Sequence, residues 1–324
     1  MSLTKKEIVG NIYRRLALIS PRIEVMLRKL YWKHAGRLKA YRPQSVATLS
    51  SKGEVSQVSF DDIISFLKDN GVGEGSLLVV HSSYSELECT GLTSDQIVDR
   101  LLGLIRPTGT LAMPAIRRFK GTPKYTEILT AETDNLILTY NLRKTMVSSG
   151  LLPYAMLRRK DSEVSQMPFN PLVAIGPLAK PMMEHNLDGD APSPHGPNSC
   201  WKFCYDHDAF VVGLGVDLNH YNTISHINEE AFGNWKWSDE EWYRKRKFVV
   251  IDEEGNSKDV VVRERKPEWG MLRFAELNAN KDRNSNGLIH RTKINDELIV
   301  CIEKAREYVD HLQENNKKGK FFYI

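Results

Sequence analysis

Long apolar runs and cysteine are the two features that this sequence of 324 residues most clearly lacks. No segment approaches the roughly 18–20 consecutive apolar residues of a membrane-spanning helix, and the N-terminus carries no apolar signal segment. There are only four cysteines, and the nearest two, Cys200 and Cys204, are separated by three residues without a second such pair. These absences argue against a membrane span, a disulfide scaffold and a cysteine metal motif. We expect reduced thiols in a cytoplasmic protein.

Two common kinds of catalytic motif are also missing. There is no G-x-S-x-G sequence, which argues against a serine-hydrolase elbow. Asp217, His220, His226 and Glu229 are close in the sequence, but their spacing fits no zinc-binding pattern. No metal is therefore expected.

The positive charge is concentrated at the N-terminus. Residues 1–42 hold eleven Lys and Arg and two acids, so they carry +9, whereas the whole chain carries +4 and the remainder −5. The mildly acidic remainder gives no reason to expect a nucleic-acid partner. Apolar residues recur every three or four positions and predict a basic helical extension over residues 1–45. Two interpretations stay open: an arm packed on the body, as at the interface of a homo-oligomer, and peripheral contact of residues 1–42 with an anionic membrane.

The body of the chain alternates helices with buried strands, after a polar linker at residues 43–57. SLLVVHSS (76–83) and TLAMPA (110–115) are short apolar runs typical of buried strands, and a helix predicted over 93–106 joins them. This order predicts a sheet with parallel strands. The other predicted elements are helices at 59–70, 149–159, 223–232 and 294–315, strands at 172–176 and 209–216, a hairpin over 248–262, and an irregular segment at 116–140.

Small hydroxyl residues occur at two places suited to a phosphate. His81, Ser82 and Ser83 follow the apolar residues of the first strand directly, and ligands gather beyond the carboxyl ends of strands in open α/β sheets. A second group, from Thr145 to Gly150, stands just before a predicted helix, where backbone N–H groups attract anions. The alternatives are a plain strand-to-loop transition and simple helix capping.

A histidine and a glutamate form the sharpest local signal. His226 and Glu229 stand three positions apart in TISHINEE, so a helix places them on one face. A carboxylate beside an imidazole fixes its tautomer and stabilises the protonated ring, as a general base requires. The alternative is an ordinary surface pair.

Taken in order, these segments resemble the antibiotic N-acetyltransferase family, whose best-known members are the aminoglycoside 3-N-acetyltransferases. The resemblance runs from about residue 59 to 314. It rests on the segments LKDNGVGEGSLLVVHSSYSEL, RPTGTLAMPA, YNLRKTMVSSGLLPYAMLRR, LVAIGP, SPHGPNSCWKF and VVGLGVDLNHYNTISHINEEA. It implies an α/β/α sandwich with a central mixed sheet, distinct from the GNAT acetyltransferases. The acyltransferase domain would occupy residues 58–324, after the N-terminal helical extension.

The resemblance also implies the reaction and its residues. The co-substrate would be acetyl-CoA or a longer acyl-CoA, and the acceptor a small-molecule amine. The catalytic histidine falls on His226 and its partner on Glu229, while Thr223 stands where a hydroxyl could hold the thioester carbonyl or the substrate. The coenzyme A positions fall on His81, Ser82, Ser83, Thr145, Ser148, Ser149 and Gly150.

Several departures from the family pattern concern the acceptor. The family's Asp of FDP is Asn141, its Glu of PE is Tyr154, and the H-P-x-x-S stretch begins here with Met167. With Asn170, His220 and Tyr221, these residues are expected to border the acceptor pocket. Fewer carboxylates favour a nucleotide-linked (dTDP or UDP) amino deoxysugar of surface polysaccharide biosynthesis. The alternatives are aminoglycoside 3-N-acetylation and a non-catalytic binding protein on the same fold.

Overall fold

A computed structural model describes Arg15 and residues 21–34, 57–123, 131–133, 135–219, 222–271 and 273–320. Its centre is a seven-stranded sheet of order β4-β5-β2-β1-β6-β10-β9. The strands are β1 (Leu77–Ser82), β2 (Thr110–Pro114), β4 (Ser162–Val164), β5 (Leu172–Ile175), β6 (Phe210–Leu214), β9 (His290–Ile294) and β10 (Leu298–Lys304). β1 pairs in parallel with β2 and β6, as predicted, and the outer pairs are antiparallel. The mixed central sheet is thus confirmed.

Helices cover both faces of this sheet, and successive residues of β1 point alternately into the two buried cores that result. Leu78 and Val80 belong to one buried cluster, and Leu77 and Val79 belong to the other. The first cluster includes residues of α2 (Phe60–Asp69), α4 (Ser94–Ile105) and α5 (Leu151–Leu157), and the second those of α6 (Ala179–Met183), α7 (Cys200–Asp206) and α11 (Ala305–Lys317). Short α3 (Tyr84–Leu87) follows β1. Burial on both faces explains why the strand sequences are continuously apolar.

A smaller sheet of order β3-β7-β8 packs on the first cluster. It consists of β3 (Ile137–Asn141), β7 (Tyr243–Ile251) and β8 (Ser257–Arg265). Short helices α8 (Ile227–Glu230) and α9 (Asp239–Trp242) precede β7, and α10 (Arg273–Ser285) follows β8. The predicted hairpin is therefore correct in kind but longer, and part of the segment predicted to be irregular pairs with β7 as a strand.

The predicted C-terminal helix over 294–315 is wrong in its first half. Residues Leu298–Lys304 form β10, which lies between β6 and β9, and the helix begins only at Ala305. The run LIVCI is apolar throughout and largely β-branched, which suits a strand paired on both sides. The spacing of the apolar residues in this run fits a helix, but it does not indicate one here.

Part of the N-terminal extension is described, and it packs on the body. Helix α1 (Pro21–His34) begins at a proline, which is tolerated in the first helical turn, and Val25 contacts a cluster with Trp237, Trp242 and Trp269. Lys29 also pairs with Glu268 at 3.3 Å. The remaining predicted helical residues and most of the linker lie outside the described residues. Within the described ranges, no helix is long and apolar enough to cross a membrane.

Candidate active site

A cleft of about 950 Å³ opens at the carboxyl end of β1. It brings together predicted residues from three separate parts of the sequence, because β1 is flanked by β2 and β6 and their loops leave the sheet at the same edge. The predicted residues that line it are His81, Ser82, Ser83, Ser148, Ser149, Gly150 and Thr223.

The loop after β1 is fixed by the neighbouring strand. The backbone N–H of Ser83 donates to Leu214 at 3.0 Å, and the Ser83 and Ser85 hydroxyls lie 3.0 Å apart. His81, at the end of β1, is buried, and its Nε2 makes no hydrogen bond to any described residue. Burial lowers the pKa of His81 to about 4, so the ring is neutral at physiological pH. Its ring stacks on Trp201, with centroids 6.1 Å apart.

The second serine group is attached to the end of β2. The Ser149 hydroxyl donates to the carbonyl of Pro114 at 2.7 Å and accepts the N–H of Ile116 at 3.0 Å. Gly150 then begins helix α5 with φ +117°, a conformation that favours glycine, and nothing lies within 4 Å of where a Cβ would stand. The backbone of Gly150 therefore forms the cleft wall at this point, and a ligand can approach it closely because no side chain intervenes.

Thr145 does not line the same cleft. Its hydroxyl accepts the N–H of Asn141 at 2.8 Å, and it borders an adjoining cleft of about 710 Å³ with Arg143 and Lys144. Ser148 and Gly150 border both spaces, so the two clefts are neighbours. Arg143 is engaged by Leu157, Ser162 and Glu253, so Lys144 is the one of these two cations that suits an anionic group.

His226 and Glu229 form a hydrogen-bonded dyad directly behind Thr223. The sequence TISH folds as one 3₁₀ turn, Thr223–His226, rather than the longer predicted helix, and α8 follows it. Oε1 of Glu229 lies 2.9 Å from Nδ1 of His226, and the carboxylate is 1% exposed. The imidazole is 19% exposed, so it remains accessible.

Residues that the sequence analysis did not select complete the surroundings of the dyad. Nη1 of Arg265 lies 3.1 Å from Nδ1 of His226 and 3.4 Å from Oε2 of Glu229. The ring of His195 lies 5.1 Å from that of His226, and its Nδ1 lies 3.2 Å from Glu230. His195 belongs to SPHG, within one of the segments that resemble the family, and this could have identified it from the sequence. No local sequence pattern marks Arg265.

Burial lowers the pKa of His226, and Arg265 lowers it further, while Glu229 acts in the opposite direction. The imidazole is therefore neutral at physiological pH, with one ring nitrogen free to accept a proton, as a general base requires. A proton on Nδ1 bonds the carboxylate of Glu229, and Arg265 then interacts with the second carboxylate oxygen. Nε2 lies on the opposite side of the ring from Glu229 and Arg265, so it is the nitrogen that can accept a proton.

The expected acceptor residues are not gathered at the dyad. The amide oxygen of Asn141 accepts the N–H groups of Arg143 and Lys144 within its own turn, and Tyr154 borders the adjoining cleft. Met167 is buried in the core. Only Asn170 lies near, with Nδ2 3.2 Å from Nε2 of His195. His220 and Tyr221 lie outside the described residues.

The turn that carries His226 is anchored from below. Asn222, which caps it, donates to Oε1 of Glu303 at 2.6 Å, and Oε2 of Glu303 accepts Nη1 of Arg283 at 3.0 Å. Ile224 and Ile227 face the buried cluster beneath. Among the residues described, no three His, Cys, Asp or Glu side chains are grouped so as to hold a metal ion.

The site thus combines a buried His–Glu dyad with a serine-lined cleft at one edge of the sandwich. The family profile described as aminoglycoside 3-N-acetyltransferase matches residues 79–315. The chain belongs to this family, the antibiotic N-acetyltransferases, and the resemblance stated from the sequence is confirmed.

Individual relatives agree with this assignment. Aminoglycoside N(3)-acetyltransferase IX of Micromonospora chalcea is 26% identical over 175 residues, which span 51% of this chain and 59% of that protein. The apoenzyme structure of AAC(3)-IVa matches with TM-score 0.62 at 19% identity, over 84% of this chain and 93% of that one. AAC-IIIb in binary complex with CoASH matches with TM-score 0.57 at 15% identity, over 78% and 93%. At these identities the solved structures show a common fold.

Proposed function

We propose that this protein transfers an acetyl group from acetyl-CoA to an amino group of an aminoglycoside-type acceptor. The observation that carries the proposal is the dyad of His226 and Glu229, 2.9 Å apart, on the turn whose first residue, Thr223, lines the cleft. A general base must stand next to the site where the thioester meets the amine.

The transfer is direct, within one ternary complex. The neutral amine attacks the thioester carbonyl, and Nε2 of His226 takes the proton that the nitrogen loses. Glu229 stabilises the imidazolium through Nδ1–H. The carbon–sulfur bond then breaks, and the coenzyme A thiolate leaves and receives a proton from the imidazolium. The Thr223 hydroxyl is placed to donate to the developing oxyanion, a contribution of roughly 3–4 kcal/mol where such donors have been removed.

The two adjoining clefts fit coenzyme A. The larger one offers hydroxyls of Ser82 and Ser83 and a glycine, Gly150, with open space beside it. The smaller adds Lys144, whose ammonium group suits a phosphate. The acyl end then points along the cleft to Thr223. The structural relative AAC-IIIb has been solved in binary complex with CoASH, which supports coenzyme A as a ligand of this fold.

For the acceptor, an aminoglycoside has better support than the nucleotide-linked deoxysugar that the sequence favoured. That preference depended on Asn141, Tyr154 and Met167 as pocket residues, but the first holds a turn and the last is in the core. Glu86 and Glu88 border the large cleft, as carboxylates facing ammonium groups would. The relative AAC(3)-IVa has been crystallised with apramycin and with a gentamicin.

Free-thiol release from acetyl-CoA tests the proposal, with one panel of aminoglycosides and one of dTDP- and UDP-linked amino sugars. We expect turnover with the first panel, and a loss of about 10²–10⁴ in kcat for His226→Ala. The matched control is His185→Gln, because His185 forms the same i,i+3 pair with Asp188 at 2.8 Å but is exposed. Near-normal kcat in a folded His226→Ala protein, or turnover with nucleotide sugars alone, contradicts the proposal.

A further inference from the structure

A second histidine–glutamate pair lies beside the dyad. Glu230 follows Glu229 directly, but its carboxylate turns to His195, in the loop before α7. Its Oε1 lies 3.2 Å from Nδ1 of His195, and its Oε2 accepts the backbone N–H of His195 at 3.0 Å. Both side chains are buried, with 4% of His195 and 2% of Glu230 exposed. Two consecutive glutamates therefore hold two different histidines.

The hydrogen bonds fix His195 in one tautomer. Burial raises the pKa of Glu230, but the interactions with His195 outweigh it and bring that pKa below its ordinary value, so the carboxylate is ionised. Nδ1 of His195 then carries a proton and donates it in a hydrogen bond to Glu230. Nε2 of His195 accepts a hydrogen bond from the amide N–H of Asn170, whose Nδ2 lies 3.2 Å away. Asn170 is also held in place, because its backbone carbonyl accepts a hydrogen bond from the indole N–H of Trp201 at 2.8 Å.

This chain of bonds places a fixed ring against the catalytic base. The rings of His195 and His226 are 5.1 Å apart and inclined by 49°. His226 is thus bordered by the carboxylate of Glu229, the guanidinium of Arg265 and the ring of His195. A base held on these sides has little freedom to leave its reactive orientation.

We propose that His195 and Glu230 are positioning residues for the transfer reaction. His195 holds the ring of His226 in its reactive orientation, and Glu230 supplies a second negative charge near the base. This inference rests on the proposed function, which requires His226 to accept a proton from the acceptor.

Charge balance gives the role of Glu230. The charged or titratable groups that act on His226 are Arg265 on β8, Glu229 on α8 and His195 in the loop before α7. Glu230 follows Glu229 on α8 and contacts His195, and Tyr243 at the start of β7 interacts with both carboxylates. Burial and the two carboxylates raise the pKa of Tyr243 far above its usual range, so it stays neutral. Arg265 opposes protonation of His226, and one carboxylate alone only balances it. The second carboxylate makes the surroundings net negative and keeps the base strong enough to take the proton.

The pH dependence of kcat/KM tests this charge. Glu230→Gln keeps the shape and an oxygen acceptor for His195 but removes the charge, so the midpoint of the acid limb should fall by roughly 0.5–1 pH unit. Arg265→Met should move the same midpoint upward. His185→Gln, the exposed control, should leave it in place. An unshifted acid limb in a folded, active Glu230→Gln protein overturns the inference.

The ring is tested separately through His195→Asn, which retains the charge of Glu230. We expect kcat to fall about tenfold or more as the base loses its fixed orientation, with an unchanged KM for acetyl-CoA. A raised KM with unchanged kcat contradicts the positioning role.

A measurement without turnover separates this inference from the proposed function. The ¹⁵N shifts of labelled histidine in the wild-type protein should show His195 as the neutral Nδ1–H tautomer, whichever amine is accepted. The Nε2–H tautomer overturns the inference even if the enzyme is active. Wild-type protein that releases no thiol with any amine instead contradicts the proposed function.

Discussion

His81 should make the fold sensitive to mild acid. Its ring is buried at the end of β1, and its Nε2 makes no hydrogen bond to any described residue. Burial lowers its pKa from 6.5 to about 4. An unfolded chain binds a proton on this residue well before the folded chain does, so the stabilisation is present above pH 6.5 and is lost as the pH falls toward 4.

The magnitude follows from this shift. A difference of one pKa unit corresponds to about 1.36 kcal/mol, so the complete loss below pH 4 is about 3.4 kcal/mol. Between pH 7 and pH 5 the unfolded imidazole becomes almost fully protonated while the folded one stays neutral. The free energy of unfolding should therefore fall by about 2 kcal/mol over that interval from His81 alone.

Urea unfolding of the wild-type protein and of His81→Phe, at pH 7 and pH 5, measures the effect. Phe fills the space beside Trp201 but does not titrate, so the drop in unfolding free energy should be smaller by about 2 kcal/mol in the variant. His185→Gln serves as the control, because its imidazole is exposed. Equal drops for the wild-type protein and His81→Phe would refute the reasoning.

Three further predictions concern packing and are tested by urea unfolding. Gly213→Ala in β6 should cost about 1–3 kcal/mol, because its Cβ would lie 2.5 Å from a carbonyl oxygen of the following loop, whereas Gly103→Ala in α4, with nothing within 4 Å, should be neutral or stabilising. Thr93→Ala should cost about 1 kcal/mol by removing the capping box of α4, and Thr93→Ser should retain most of it. Arg283→Met should cost about 3–5 kcal/mol, because the buried carboxyl group of Glu303 would lose the guanidinium that compensates its burial; a loss below about 1 kcal/mol would contradict that account.

The sequence predicted well those parts of the fold whose signals are local. Residues Leu77–Ser82 lie within the predicted first strand, and α4 falls within the helix predicted over 93–106. The His226–Glu229 contact was also predictable, because a spacing of three fixes neighbours on any helical turn. The prediction over Leu298–Lys304 failed because the local signal is ambiguous there. A short apolar run fits strand and helix periodicity equally, and only its pairing with β6 decides between them.

Contacts between distant segments could not be predicted in the same way. Arg265 stands 36 positions after Glu229 and reaches it only because β8 ends beside α8. Met167 looked like a pocket residue from the family pattern, but its side chain fills the core under the small sheet. Such outcomes depend on how two sheets pack, and no spacing along the chain contains that information.

The position of the catalytic turn shows why the C-terminal segment matters to a site built mainly from earlier residues. Asn222 caps the turn of His226, but it is held by Glu303 of β10, and Glu303 is held by Arg283 of α10. Burial raises the pKa of Glu303 to about 7, so its ionised form depends on these two donors. Each donor compensates part of the cost of the buried charge, and in return Glu303 fixes where the turn begins. Helix α10 and strand β10 therefore position the base without either contributing a side chain to the dyad.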